Sequence, residues 1–278
     1  MELRDHLKSY ILTLREKERA PSTIQKYAHD ITDLLQYCGG DAAAGLTKEQ
    51  MIQYKQHLEE RRSAATVNAA IAAINGFLRF IKREDCCIKP LKVQASPYRD
   101  RQRELTRAEY FRLLGAAKRR SEKTAYMIET ICSTGIRVSE LRFITVAAVN
   151  SGVATVRNKG KCRTIFLPTK LCADLKRYCR KNSLASGSVF IGRKGKPLNR
   201  CTIWKRMKQL CQEARVKADK VFPHNLRHLF AVCFYKAQHD LEHLSCILGH
   251  SSVNTTRIYT RTSGREHQRQ LNALMLTM

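Results

Sequence analysis

The chain has 278 residues with 51 Lys or Arg against 24 Asp or Glu, a net +27; residues 96–278 carry 36 basic and 12 acidic side chains (+24), residues 1–95 only 15 and 12 (+3). An excess that large on one part of a chain calls for a polyanionic partner, most simply nucleic-acid phosphates, with a membrane surface as the competitor. No apolar run approaches the roughly 20 residues of a spanning helix, and the start MELRDHLKSY is not a signal peptide; a cytoplasmic protein with no membrane partner is expected.

In chain order, the first ninety residues read as four amphipathic helices. Leu3, Leu7, Tyr10, Ile11 and Leu14 make one helical stripe, and PSTIQKYAHDITDLLQYCGG opens on Pro and Ser/Thr start signals and closes at Gly39–Gly40. LTKEQMIQYKQHLEERR opens with a capping box of Thr47 and Gln50. TVNAAIAAINGFLRFIKRED carries Val67, Ile71, Ile74, Leu78 and Ile81. Residues 85–103 hold two prolines, a run of basic residues and no sustained periodicity, which marks a linker. The expected domains are therefore 1–88, helical, and 104–278, with 89–103 between them. Beyond the linker, LTRAEYFRLLGAAKRR and SEKTAYMIETICSTGIRVSELRFI read as helices, the second turned near Thr134–Gly135. SGVATVRNKGKCRTIFLP reads as a hairpin with Gly160 in its turn. SVFIG is at most one short strand, and the remainder is mostly helical. The expected fold is mainly α with a small β-sheet in the C-terminal domain.

Eleven scattered cysteines with no C-x-x-C pair read as reduced thiols. The pairs His224/His228 and His239/His243 lack a third ligand at suitable spacing, so no metal and no cofactor are expected.

Four stretches of the basic half carry chemistry. STGIRVSEL places Arg137 three residues before Glu140, so the carboxylate can orient the guanidinium; alone, this reads as a surface ion pair. NKGKCR presents Lys159, Lys161 and Arg163 near a hairpin turn; alone, it reads as a solvated loop or phosphate clamp. FPHNLRH puts His224 and Arg227 on one face at a helix start, a setting that attracts phosphate. GHSSVNTTRIYT holds His250 and Tyr259 among small polar residues, surroundings too polar to bury a tyrosine well. Taken together the set contains no acidic cluster for Mg²⁺. Phosphoryl transfer without a metal must neutralise transition-state charge with protein cations and supply its own nucleophile, which a phenol can be.

The order Arg…Lys…His-x-x-Arg…His…Tyr, dense in TGIRVSEL, PHNLRHLFA and LGHSSVNTTRIYTR, resembles the tyrosine recombinase (phage integrase) family over residues 104–261. The front half is similar in layout to that family's SAM-like core-binding domain. The resemblance implies that Tyr259 attacks a DNA phosphodiester to give a 3′-phosphotyrosyl bond and a free 5′-hydroxyl. Arg137 and Arg227 would clamp the non-bridging oxygens, Lys159 would protonate the leaving oxygen, His224 would assist deprotonation of Tyr259, and His250 would hydrogen-bond the phosphate. Glu140 would fix Arg137, while Lys161 and Arg163 would contact DNA. The Tyr259 segment would be mobile enough to enter the phosphate pocket. The resemblance also implies a clamp of two domains around one duplex and a homotetramer on two DNA sites, coupled through a C-terminal tail bearing Leu271, Leu274, Met275 and Met278. Asn225 and Arg261 depart from residues frequent in the family and bear on subfamily; the short front half favours a Xer-like or simple mobile-element enzyme. The rivals are a type IB topoisomerase-like relaxase and a DNA-binding regulator without turnover.

Overall fold

The computed structural model describes residues 3–39, 45–92, 103–158, 161–250, 252–260 and 272–274. The chain divides into two compact units, Met1–Ala95 and Ser96–Met278.

In the first unit the apolar stripes form the four expected helices: α1 (Leu3–Glu16), α2 (Pro21–Cys38), α3 (Lys48–Arg61) and α4 (Ala64–Phe80). Local chemistry sets their ends. Pro21 opens α2, where its missing N–H costs nothing, and Gly39 closes it at φ 64°. The Thr47–Gln50 capping box opens α3, each side chain accepting the other's backbone N–H at 3.2 and 3.0 Å. α4 is the central helix of this unit, burying Val67, Ala70, Ile71, Ala73, Ile74, Phe77 and Leu78. Gly76 lets α1 approach it closely: a Cβ there would lie 2.5 Å from the Tyr10 hydroxyl.

The segment read as a linker does not leave this unit at once. Asn75 donates to the Ile88 carbonyl at 2.8 Å and accepts the Ile88 N–H at 3.0 Å. Asn68, two turns earlier on α4, holds Leu91 by the same pair of bonds at 3.0 and 2.7 Å. An amide side chain can pair with both polar groups of an extended residue in this way. Cys86 and Ile88 are buried in the core. Residues 93–102 of the segment lie outside the described residues.

The second unit contains α5 (Arg107–Arg120), α6 (Glu122–Thr134), α7 (Val146–Ser151), the strands β1 (Val153–Asn158) and β2 (Lys161–Phe166), then α8 (Thr169–Lys181), α9 (Arg200–Lys208), α10 (Cys211–Ala214), α11 (Pro223–Gln238) and α12 (Leu241–Leu248). The fold is mainly α with a small sheet, as the sequence implied. The strands pair antiparallel from Val153–Phe166 to Asn158–Lys161. Residues 159 and 160 therefore connect them in sequence. SVFIG contributes only single bridges, Thr145–Ser188 and Ile191–Pro197. α8 shows the patterning most plainly: Leu171, Cys172, Leu175, Tyr178 and Cys179 form one buried stripe. With Ile128, Ile131, Val156, Ile165, Phe190 and Leu226 they build one core.

Two breaks in this unit prepare the site. α6 stops at Gly135, whose φ of 65° suits glycine and whose missing Cβ would meet Phe230 at 2.4 Å. The chain then forms a 3₁₀ turn over Val138–Phe143, so Arg137 and Glu140 do not share an α-helix as their spacing predicted.

Candidate active site

Glu140 closes the 3₁₀ turn on itself, its Oε2 accepting the Arg137 backbone N–H at 2.7 Å and its Oε1 the Arg137 Nη1–H at 3.1 Å. The same carboxylate receives Arg163 Nη2 at 2.6 Å from β2. At 1% exposure, burial by itself pushes the Glu140 carboxyl up. The Arg137 N–H and the Arg163 and Arg137 guanidiniums outweigh that and hold its pKa below the ordinary value.

A second device collects the cations. The last carbonyls of an α-helix have no intrahelical partner and carry the negative end of its dipole. At the end of α12 three consecutive carbonyls each accept from one arginine: Ile247 from Arg163, Leu248 from Arg227 (2.7 Å), and Gly249 from Arg137 (3.2 Å). Gly249 makes this possible, since it adopts φ 63° and a Cβ there would lie 2.7 Å from Arg163 Cδ. Arg227, at the start of α11, also donates to the Gly135 carbonyl at 2.7 Å. It is 2% exposed. Burial, Arg137 and Arg163 bring its pKa down to about 10, which leaves it charged near neutrality.

Beyond Gly249 the chain folds back in two 3₁₀ turns, Val253–Thr255 and Arg257–Tyr259. Arg227 Nη2 donates to His250 Nε2 at 3.1 Å, and the other ring nitrogen, Nδ1, lies 2.8 Å from the buried Thr256 hydroxyl. Burial, Arg227, Arg137, Arg163 and His224 hold the His250 pKa down to about 4. The ring is therefore neutral near pH 7, with its proton assigned to Nδ1 because Nε2 accepts from Arg227. Its plane lies 15° from that of Tyr259, with ring centroids 6.4 Å apart.

Tyr259 corrects the sequence reading: it is 3% exposed and packs with Ala231, Leu244 and Leu248. The 3₁₀ turn swings the ring inward, and apolar residues from α11 and α12 supply the burial that its immediate neighbours do not. Burial pushes the phenol pKa up against the lowering effect of Arg227 and Arg137.

Arg137 and Arg227 line a cleft of about 470 Å³ with His224, Ser139, Phe222 and Pro223. Desolvation, Arg227, His228 and Arg137 lower the His224 pKa, so this imidazole is a free base near neutrality. Arg163, expected at the DNA, is turned inward instead. It is 15% exposed in its side chain, and its guanidinium is engaged by Glu140 and Ile247. Lys159 lies outside the described residues, and Lys161 is placed by its backbone in β2.

Sequence reasoning missed four residues here. Arg200 and Trp204 of α9 line the same cleft, with Trp204 45% exposed and Lys208 Nζ 5.2 Å from its ring centre. Their spacing of four within a basic helix was the available signal. Thr256 bonds His250 within the tyrosine-bearing segment itself, and His228, whose ring packs on Tyr259, is brought in only by tertiary folding.

The sequence model of the phage integrase family matches residues 103–266, and that of the phage integrase N-terminal SAM-like domain matches residues 7–85. Tyrosine recombinase XerD of Halalkalibacterium halodurans is 30% identical over 271 residues, covering 89% of each chain. Tyrosine recombinase XerA of Pyrococcus furiosus is 27% identical over 269 residues, covering 93% of this chain and 90% of the relative. Among solved structures, XerH recombinase in a post-cleavage complex with palindromic difH has a TM-score of 0.73 at 22% identity, covering 91% of this chain and 79% of that one. A lambda integrase tetramer bound to a Holliday junction has a TM-score of 0.76 at 17% identity, covering 93% and 77%.

Proposed function

The chain belongs to the phage integrase family and is a tyrosine site-specific recombinase that acts on DNA; on that premise we propose how its own residues carry out the strand exchange. The observation that carries the reading is the junction at Arg227. One guanidinium donates to His250, opposes the effect of burial on the Tyr259 phenol, and lines the cleft that Arg137 and His224 also line.

In the proposed reaction a DNA phosphate enters that cleft and is held by Arg137 and Arg227. The Tyr259 oxygen attacks phosphorus while the bond from phosphorus to the 5′-oxygen breaks. The phenol proton passes to His224, whose lowered pKa keeps it ready to accept. Lys159 supplies a proton to the departing 5′-oxygen. The products are a 3′-phosphotyrosyl bond and a 5′-hydroxyl. The covalent bond keeps the energy of the phosphodiester it replaces, so a 5′-hydroxyl from another strand reverses every step without ATP. The incoming anion also acts on His250: its charge opposes the field of the arginines, favours a proton on Nε2, and so provides a hydrogen bond to the phosphate.

Strand exchange joins two duplexes, and the proposed working form is a homotetramer on two DNA sites. The lambda integrase structure named above is itself a tetramer on a Holliday junction. The tail with Leu271, Leu274, Met275 and Met278 is the proposed coupling segment. Only 272–274 of it are described, and Leu274 there is 58% exposed. Of the tail, Leu271, Met275 and Met278 lie outside the described residues.

The test is covalent trapping. Incubation with sheared host DNA should yield SDS-resistant protein–DNA adducts, and sequencing their ends gives the site. A duplex bearing that site and nicked beside the cleavage point should then trap the wild-type protein. Tyr259→Phe should trap none while binding the same duplex. An adduct formed by the Phe variant would remove Tyr259 from the reaction.

A further inference from the structure

The tyrosine ring has a second imidazole against it, and that imidazole is anchored. His228 lies one turn after His224 on α11. Its ring centroid is 5.1 Å from that of Tyr259, with planes 53° apart. Its Nε2 is 3.1 Å from Glu104 Oε1, and the two side chains are 14% and 18% exposed. A carboxylate that accepts from a histidine N–H fixes both tautomer and ring orientation. The backbone beside Glu104 is fixed as well. Asn225 Nδ2 donates to the Arg103 carbonyl at 2.7 Å and to the Lys220 carbonyl at 2.8 Å. An amide can supply both of these donors, whereas a carboxylate or hydroxyl in its place could not. Thus two side chains of the PHNLRH stretch hold residues 103–104 in place, and residue 104 in turn holds the ring that packs on the nucleophile.

We propose that Glu104 and His228 form a positioning pair for Tyr259, a packed wall that fixes where the phenol ring sits relative to Arg227. The inference rests on Tyr259 being the nucleophile and adds two residues to its machinery. The contact with Tyr259 is ring against ring, so His228 acts on the ring's placement; the phenol proton goes to His224. A misplacement of about 1 Å at a reacting atom is enough to cost on the order of 100-fold in rate. A wall made of one aromatic ring and one anchor should therefore show in the cleavage step and not in DNA affinity.

The experiment measures single-turnover cleavage of the nicked duplex by the full chain, alongside duplex affinity and thermal midpoint. His228→Ala should slow cleavage at least tenfold, with affinity within twofold of wild type. His228→Phe restores a ring and should recover most of the rate. Glu104→Ala should fall between, and the double variant Glu104→Ala/His228→Ala should be no slower than His228→Ala, because the pair acts as one unit. The acid limb of the pH–rate profile should persist in all of them, displaced upward in the variants that lose His228, one of the groups that lower the His224 pKa. Three results would each overturn the proposal: cleavage by His228→Ala at or above the wild-type rate, failure of Phe to rescue in a variant that melts and binds normally, or loss of the acid limb. A wild-type protein that forms no adduct would instead overturn the function on which the inference rests.

Discussion

Glu140 and His250 are buried or half-buried groups whose protonation the fold opposes, and each leaves a mark on stability. The Glu140 pKa lies below its ordinary 4.5. Its stabilising contribution is present above that value and is lost as pH falls through its folded pKa. His250 is held down to about 4 from an ordinary 6.5. Between those values the unfolded chain binds a proton that the fold refuses, so stability falls as pH drops from 6.5 toward 4. Acid denaturation followed by circular dichroism should show both losses, and His250→Gln should flatten the upper one. Glu140→Gln keeps the shape but leaves Arg137 and Arg163 facing a neutral amide. Breaking a buried ion pair costs about 3–5 kcal/mol, and an amide that keeps part of the hydrogen bonding should cost about 2–3 kcal/mol, read as a drop in thermal midpoint. In catalysis the lowered pKa of His224 places the acid limb of cleavage below pH 6.5. His224→Gln should remove that limb and slow cleavage by roughly 10² or more.

At the scale of elements, the end of α12 does what no single residue could: three adjacent carbonyls draw arginines from β2, α11 and the turn after α6 to one place. Gly249→Ala tests this. It forces a side chain into a left-handed backbone and against Arg163, strain of about 1–3 kcal/mol. It should lower the thermal midpoint by several degrees and slow cleavage together. Much of this layer was legible in the chain. The stripes of α1 to α4, the Thr47 capping box and the hairpin flanking 159–160 follow from periodicity and turn residues. The order of Arg137, His224, Arg227, His250 and Tyr259 pointed to one site through its resemblance to the pattern of the tyrosine recombinase family. The burial of Tyr259 was not legible, because Leu244 and Leu248 reach it only after α12 folds onto α11. Nor was the role of Arg163. Alternation along a strand tells which face a residue takes, not that Glu140 and Ile247 will meet it there.

For the whole molecule the governing quantity is charge: +27 in all, with +24 after residue 95. Each phosphate neutralised by Lys or Arg releases counterions, and log affinity falls with log salt at a slope of about −0.9 per contact. A chain that meets six to ten phosphates should lose about 10³–10⁵ in affinity between 50 and 200 mM salt. Trp204 offers a built-in reporter, being the chain's single tryptophan, partly exposed and in the wall of the cleft. Its emission should change on binding a duplex that carries the site, and the titration repeated across a salt series gives the slope. Arg200, in the same wall, should contribute one contact, so Arg200→Ala should lower the magnitude of the slope by about 0.9. Arg4 and Lys8, on α1 in the nearly neutral first unit, offer the comparison: their substitution by alanine should change the slope less than Arg200→Ala. A slope near zero with Trp204 emission still responding would mean that binding at the cleft is driven by something other than phosphate charge, and the arginines gathered there would then need a different account.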